Sequence, residues 1–175
     1  RNGRGIITNM KKIYLLFIAI LFTSCSQNQN YLLEEGVVDI DYLKNSPKTY
    51  WFNENFENYT VEKINRDNFS ELYNYDIEIF MNTLCHDSQR EIPRLIKILK
   101  ELNFPEQNLK IVLLKPNKKS KMGYEVNKNI TNTPTIIFNL DNNEINRIVE
   151  FPKESLEDDI VKILIGDYKH VYFIE

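Results

Sequence analysis

The stretch DIEIFMNTLCHDSQREIPRLIKILKELN, residues 76–103, contains the change of pattern that decides the fold. Its first six residues place apolar side chains at the alternate positions 77, 79 and 81, which is the two-residue period of a β-strand. From residue 88 onward the spacing is that of one buried helix face, with Ile92, Leu95, Leu99 and Leu102. Cys85 lies between the two patterns, so the sequence predicts a cysteine at the head of a helix.

More strand and helix patterns follow this helix. LKIVLL (109–114) is almost entirely apolar, as expected for a strand that is covered on both faces. PTIIFNL (134–140) and EINRIVEF (144–151) flank the turn residues DNN and predict an antiparallel hairpin, and residues 153–165 carry a last helix stripe. The first two strands, joined by a helix, should run parallel. The sequence therefore predicts an α/β fold with a mixed sheet and helices on both of its faces.

Residues 37–75 predict an N-terminal helical extension ahead of the domain at 76–175. Aromatic residues at positions 52, 56 and 59 fit one helix face, and residues 61–74 show a second amphipathic pattern. We expect this extension to pack over the core of the domain. An exposed aromatic patch for a partner is the alternative.

The beginning of the chain has the pattern of a secretory leader. Met10-Lys11-Lys12 is followed by the apolar run IYLLFIAILF (13–22) and then by small residues before Cys25. LFTSC resembles a bacterial lipobox. That resemblance implies that residues 1–24 are upstream residues plus a lipoprotein signal peptide, that Cys25 is lipidated, and that residues 25–36 are a tether. An uncleaved N-terminal anchor is the alternative.

The predicted leader also affects charge and location. It contains four basic and no acidic residues, so its removal takes the net charge from −3 to −7. An acidic chain argues against nucleic acid as a partner, because phosphate binding needs a cationic surface. The lipobox implies a lipid-anchored protein of the cell envelope. No acidic run follows Cys25, so we expect the periplasmic side of a bacterial membrane.

No cofactor or metal is predicted. The whole chain has five glycines and no glycine-rich phosphate loop. Its two histidines are His86 and His170, and with Cys85 they do not make a metal site of the usual ligand number. If Cys25 carries lipid, Cys85 is the one free thiol and has no intramolecular disulfide partner.

The junction around Cys85 resembles the thioredoxin superfamily. Members of that superfamily carry C-x-x-C on the first turn of such a helix, and a cis-proline faces it from the start of a later strand. The matching residues here are Cys85-His86-Asp87-Ser88, Pro93 within the helix, and Thr133-Pro134. More narrowly, FMNTLCHDSQREIPR and NTPTIIF look like a group of bacterial exported or lipoprotein thioredoxin-like proteins. The resemblance covers about residues 50–165 and implies a thioredoxin-like sheet.

Three residues depart from the family pattern. Ser88 replaces the second cysteine, Leu84 stands where tryptophan usually precedes the active cysteine, and Ile79 occupies the place of a buried aspartate that assists proton transfer. A resolving thiol and one proton relay are therefore missing.

The residues around Cys85 predict a reactive thiol. Unpaired N–H groups and the dipole of a helix N-terminus favour a thiolate, which is the nucleophile in disulfide exchange. A hydrogen bond from Ser88 and a charge on His86 would add to this effect. Asp87 would oppose it unless it caps the helix or binds Arg90 or Arg94. The resemblance implies that Pro134 is cis and presents the backbone of Thr133 to an extended substrate.

These observations leave three hypotheses. The first is a membrane-anchored monothiol protein that forms mixed disulfides through Cys85, in thiol–disulfide exchange or isomerisation of envelope proteins; whether it is an enzyme stays open. Its partners would be protein thiols and disulfides and an external reductant or small thiol. The second is a redox-inactive binding module of thioredoxin shape, in which Cys85 is structural. The third is thiol peroxidase chemistry through a sulfenic acid.

Overall fold

The computed structural model describes residues 35–62 and 64–169. The predicted leader, the lipidation site Cys25, most of the tether and the tail from 170 to 175 lie outside the described residues. All described residues belong to one compact unit, Leu33–Glu175. Within the described ranges, no helix has the length and apolarity needed to cross a membrane.

A five-stranded mixed sheet forms the centre of the fold. Its strands, in chain order, are β1 Gly36–Val38, β2 Asp76–Met81, β3 Leu109–Leu113, β4 Thr135–Leu140 and β5 Asn143–Val149. The spatial order is β1-β3-β2-β4-β5. Strands β2 and β3 are parallel, and β4 and β5 form an antiparallel hairpin. The predicted α/β class and mixed sheet are thus confirmed.

Four α-helices accompany the sheet: α1 Ile40–Asn45, α2 Trp51–Asn58, α3 His86–Glu101 and α4 Leu156–Leu164. The amphipathic pattern at 61–74 forms a 3-10 helix, Arg66–Asn74, whose Phe69 and Leu72 are buried as the pattern predicts. Helix α3 begins at His86, two residues before the predicted start, because Cys85 takes the N-cap position. Helix α4 is capped by Ser155, whose hydroxyl accepts from the N–H of Asp158.

All four helices pack on the same face of the sheet, which we call the helix face. The strand residues on this face include Ile77, Ile79 and Ile136, each at most 1% exposed. One cluster joins them to buried residues of every helix, including Trp51, Phe52 and Phe56 of α2. The prediction that the N-terminal aromatic residues pack over the core is therefore confirmed for these three. Tyr50 is instead 81% exposed.

The opposite face of the sheet, the loop face, lacks a helix among the described residues. Phe80, Val112, Leu114 and Ile137 are buried there, and Tyr124 and Ile130 of the 115–134 segment cover them. Within the described residues, the prediction of helices on both faces was therefore wrong, while the predicted α/β class with a mixed sheet and helices holds. Two apolar side chains in a turn-rich segment are sufficient cover, because the buried apolar area on this face is small.

The loop face ends in a cluster of charged residues. Glu78 accepts hydrogen bonds from Lys110, at 3.0 Å, and from Lys128. Burial alone would raise the pKa of Glu78, but the hydrogen bonds from Lys128 and Lys110 outweigh it and hold the pKa below its usual value. These ion pairs fasten the 115–134 segment to the sheet.

Strand β1 lies inside the segment for which only helices were predicted. It pairs with β3 in antiparallel register, so that Gly36 is opposite Leu113 and Val38 is opposite Ile111. Leu113 in turn is opposite Met81 of β2. The described chain therefore begins at the end of the sheet where β2 ends and Cys85 follows, which we call the thiol end.

Candidate functional site

Cys85 lies at the N-terminus of α3, as the sequence predicts. It is the N-cap residue, with extended backbone; the residue is partly exposed and its thiol forms no disulfide. Its carbonyl accepts from the N–H of Gln89 at 2.9 Å, so the helix begins directly after it. No side chain caps the first turn of this helix. The first N–H groups of α3 therefore lack the side-chain acceptor that an N-cap residue usually supplies, and the sulfur occupies the position of such an acceptor.

The segment before β4 supplies the second part of the site. The Thr133–Pro134 peptide bond is cis, as the resemblance implies. The thiol of Cys85 donates to the carbonyl oxygen of Thr133 at 3.0 Å, across 48 residues of sequence. The fold thus brings together the two motifs that sequence analysis singled out. Thr133 and Pro134 are both buried, and the carbonyl of Pro134 accepts from the N–H of Glu150 at 2.7 Å.

Ser88 lies one turn into α3 and is completely buried. Its hydroxyl accepts from the backbone N–H of Asn82 at 3.3 Å. None of the hydrogen bonds among the described residues joins Ser88 to Cys85, in contrast to the sequence-based expectation. The side chain of Ser88 therefore fastens the turn before the helix.

Asn82 is a site residue that sequence analysis missed. Its side chain accepts from the N–H of Leu84 at 2.9 Å and donates to the carbonyl of Leu114 at 2.6 Å. Its own carbonyl accepts from the N–H of Cys85 at 3.1 Å. Asn82 is 5% exposed. It therefore fixes the turn that carries Cys85 and ties that turn to the end of β3.

The charged residues of the first turns pair with one another. Arg90 donates to Asp87 at 2.7 Å and also contacts Glu91, which is 2% exposed. Arg94 lies 3.5 Å from Glu91. Of the two roles considered for Asp87, the pairing with Arg90 is observed and the helix cap is not, since an i,i+3 partner competes with the N–H groups.

The remaining predicted site residues lie at different distances from the thiol. His86 follows Cys85 directly and is exposed. Pro93 is buried in the interior of α3, eight residues beyond Cys85, which is roughly 12 Å along a helix axis. Pro93 therefore belongs to the packing of the helix rather than to the immediate surroundings of the sulfur.

Two exposed apolar side chains flank the site. Leu84, directly before Cys85, is 63% exposed, and Phe151 is 52% exposed. Phe151 follows Glu150, whose N–H binds Pro134. Within the described ranges, His, Cys, Asp and Glu side chains form no group of three or more that could hold a metal ion.

Comparison with known proteins gives a structural similarity. No family model matches the chain, and no curated protein matches it. A crystal structure of PA1234, a protein of unknown function from Pseudomonas aeruginosa, is similar with a TM-score of 0.52 and 12% sequence identity. The similarity covers 76% of this chain and 94% of that chain. At this identity it shows a common fold alone.

Proposed function

We propose that this chain is a thioredoxin-like, membrane-anchored monothiol protein that forms mixed disulfides with protein thiols in the cell envelope. The observation that carries the proposal is the position of Cys85. Cys85 is partly exposed, and its sulfur lies at a helix N-terminus, 3.0 Å from the carbonyl of Thr133, next to the cis bond to Pro134. The lipid anchor rests on the lipobox-like sequence that ends at Cys25.

The proposed reaction is a thiol–disulfide exchange. The thiolate of Cys85 attacks one sulfur of a client disulfide, the client S–S bond breaks, and the other client sulfur leaves as a thiolate that takes up a proton. Cys85 is then joined to the client by a new S–S bond. A second client thiol or a small thiol must resolve this bond, because position 88 is a buried serine.

Features around the sulfur support this chemistry. The helix N-terminus presents N–H groups that no side chain caps, and such groups stabilise an anion. The exposed side chains of Leu84 and Phe151 offer apolar contacts to an extended client segment. The backbone beside Pro134 gives that segment hydrogen-bonding groups to pair with.

The test is accumulation of a mixed disulfide. The full chain is incubated with two peptides joined by a single disulfide, so that the released thiol departs with its own peptide. After acid quenching, peptide mapping locates the adduct and distinguishes Cys85 from Cys25. We expect a stable adduct in the natural chain and none in Cys85→Ser. In Ser88→Cys the second thiol should resolve the adduct, leaving an internal disulfide with the loss of two hydrogens.

Two results would contradict the proposal. Without any adduct in the natural chain, Cys85 is not a nucleophile toward disulfides. An adduct that also appears in Cys85→Ser does not involve this thiol. The matched variant Ser70→Cys, in the 3-10 helix, controls for the reactivity of an added exposed thiol.

A second candidate function is a redox-inactive binding module. It is favoured by the Ser88 hydroxyl, which accepts a hydrogen bond from the N–H of Asn82, and by the lack of a second thiol near Cys85 within residues 35–62 and 64–169. A binding module would retain its partner after Cys85→Ser under reducing conditions. A disulfide-exchange protein would lose covalent capture in the same variant.

A further inference from the structure

The described part of the chain enters the sheet at its thiol end. Because β1 is antiparallel to β3, Gly36 lies opposite Leu113, at the thiol end of the sheet. Glu35, which precedes it, binds the side chain of Lys115 at 3.0 Å. Two strand spacings separate β1 from β2, or roughly 10 Å. The residues that lead back toward the predicted lipid anchor therefore enter at the same end as Cys85.

A lysine-rich segment, residues 115–128, begins at this end of the sheet. Residues 115–128 contain five lysines and one glutamate, in a chain whose net charge is −3. The backbone N–H of Lys115 binds the carbonyl of Lys119 at 3.0 Å, and the N–H of Lys118 binds the carbonyl of Lys115 at 2.8 Å. This tight turn keeps positions 118 and 119 at the thiol end.

Two of these five lysines form ion pairs with glutamates. Lys115 and Lys128 pair with Glu35 and Glu78. None of the ion pairs among the described residues involves Lys118, Lys119 or Lys121. Lys119 and Lys121 are exposed, and the next residue, Met122, is 73% exposed. We call Lys118, Lys119, Lys121 and Met122 the lysine turn.

We propose that the lysine turn contacts the surface of an anionic phospholipid membrane. This inference rests on the lipid anchor of the proposed function but not on the reactivity of Cys85. Three lysines that form no ion pair among the described residues, beside an exposed methionine, complement negative headgroups and the acyl boundary beneath them. Each lysine near such a surface raises the membrane-binding constant about fivefold, so three lysines raise it on the order of a hundredfold.

The length of the tether makes the contact feasible. Ten residue steps separate Cys25 from Glu35, and ten steps span at most about 35 Å. A lipid at Cys25 would therefore hold Glu35 within about 35 Å of the bilayer. Local concentration then makes a weak electrostatic contact effective. The lysine turn would orient the thiol toward clients at the membrane surface.

The test measures the proximity of the lysine turn to lipid headgroups. The full chain, carrying Cys85→Ser, receives a fluorescent label through Met122→Cys, and peptide mapping verifies that Cys25 carries no label. Vesicles of phosphatidylcholine, with or without phosphatidylglycerol, contain lipids with nitroxide-labelled headgroups that quench at short range. The matched control is Gln107→Cys, an exposed position before β3 at the opposite end of the sheet.

We expect phosphatidylglycerol to increase quenching at position 122 at least twofold and to leave position 107 unchanged. Replacement of Lys118, Lys119 and Lys121 by glutamine, or high salt, should abolish the increase. Equal quenching at 122 and 107, or no dependence on phosphatidylglycerol, would overturn the inference. A response at 122 to polyglutamate but not to anionic vesicles would overturn it in favour of an acidic protein partner.

Sedimentation of the same samples separates this inference from the proposed anchor. A chain that fails to sediment with pure phosphatidylcholine vesicles has no working anchor, and that part of the proposed function is then wrong. Quenching at 122 by vesicles with phosphatidylglycerol still decides whether the lysine turn binds lipid. Mixed-disulfide formation plays no part in either readout, because Cys85 is replaced throughout.

Discussion

The two faces of the sheet are stabilised in different ways. The helix face buries a continuous apolar cluster to which all four α-helices contribute. The loop face buries four strand residues under Tyr124 and Ile130 and then ends in the ion pairs of Glu78. The helix face therefore provides most of the apolar stabilisation.

The two faces therefore have different roles. The loop-face segment begins with the lysine turn and ends at Thr133 and Pro134, beside the thiol. Because little of the core depends on this segment, its residues are free to serve the site and the proposed membrane contact. Helix α3 is the element common to both tasks, since its buried stripe anchors the core while its N-terminus carries Cys85.

The largest effect is expected from Phe52→Ala. Phe52 is fully buried on the helix face, so the change should cost about 3–5 kcal/mol of unfolding free energy. Urea unfolding followed by circular dichroism measures it. Tyr50→Ala, two residues away and 81% exposed, is the matched control and should change stability by less than about 0.5 kcal/mol. Equal effects would mean that the N-terminal aromatic residues are not part of the core.

The neighbours Ile136 and Ile137 compare the two faces directly. Ile136 points to the helix face and Ile137 to the loop face, and both are at most 1% exposed. Substitution by alanine costs about 2–5 kcal/mol, depending on how far the surroundings collapse into the cavity. We expect Ile137→Ala to cost less, because a loop relaxes more readily than packed helices. The reverse order in urea titrations would refute the comparison.

Asn82→Ala probes the turn that links the core to the thiol. It removes the acceptor for the N–H of Leu84 and the donor to the carbonyl of Leu114, at a cost of about 1–3 kcal/mol. We also expect the alkylation rate of Cys85 in the folded chain to fall, because the turn no longer fixes the sulfur. Asn108→Ala, which removes a weaker bond to the carbonyl of Tyr75 at 3.5 Å, controls for general loosening. An unchanged alkylation rate would show that Asn82 does not position the thiol.

Glu78→Gln tests the polar part of the loop face through its pH dependence. The pKa of Glu78 is lowered in the folded chain. Ionised Glu78 therefore adds to the free energy of unfolding at pH values above its unfolded pKa of about 4.3. This contribution is lost as the pH falls through the lower pKa of the folded chain. The variant should be about 1 kcal/mol less stable at neutral pH and should lose less stability on acidification. Thermal unfolding across acidic pH measures this, with exposed Glu106→Gln as the control. If stability falls equally on acidification in Glu78→Gln and in the natural chain, the ion pairs of Glu78 do not stabilise the folded chain in this way.

The sequence was most informative where one face of an element meets the core. The alternation in β2 and the stripe in α3 both predicted the observed burial, because periodicity reports on packing. The three-residue strand β1 was missed, since its pairing and its direction depend on β3. The 115–134 segment could not be placed on one face, because its position depends on Tyr124 and on the ion pair between Lys128 and Glu78.

The candidate site was predictable in part for the same reason. Cys85 and Thr133-Pro134 could be paired through a family resemblance, and the fold brings them into contact. No sequence pattern marks Asn82 as a site residue, because its role consists of hydrogen bonds to backbone groups, one of them 32 residues away. The partner of Asp87 could not be chosen in advance, since Arg90 and the helix N–H groups compete for one carboxylate.

The most direct test of the central claim is the rate at which iodoacetamide alkylates Cys85 in the folded chain, compared with the same chain unfolded in urea. The proposal predicts that the folded chain reacts faster, by on the order of tenfold at about pH 7, because the sulfur lies at a helix N-terminus that no side chain caps. An equal or slower rate in the folded chain would contradict a nucleophilic Cys85. The domain would then be a binding module whose cysteine serves the structure.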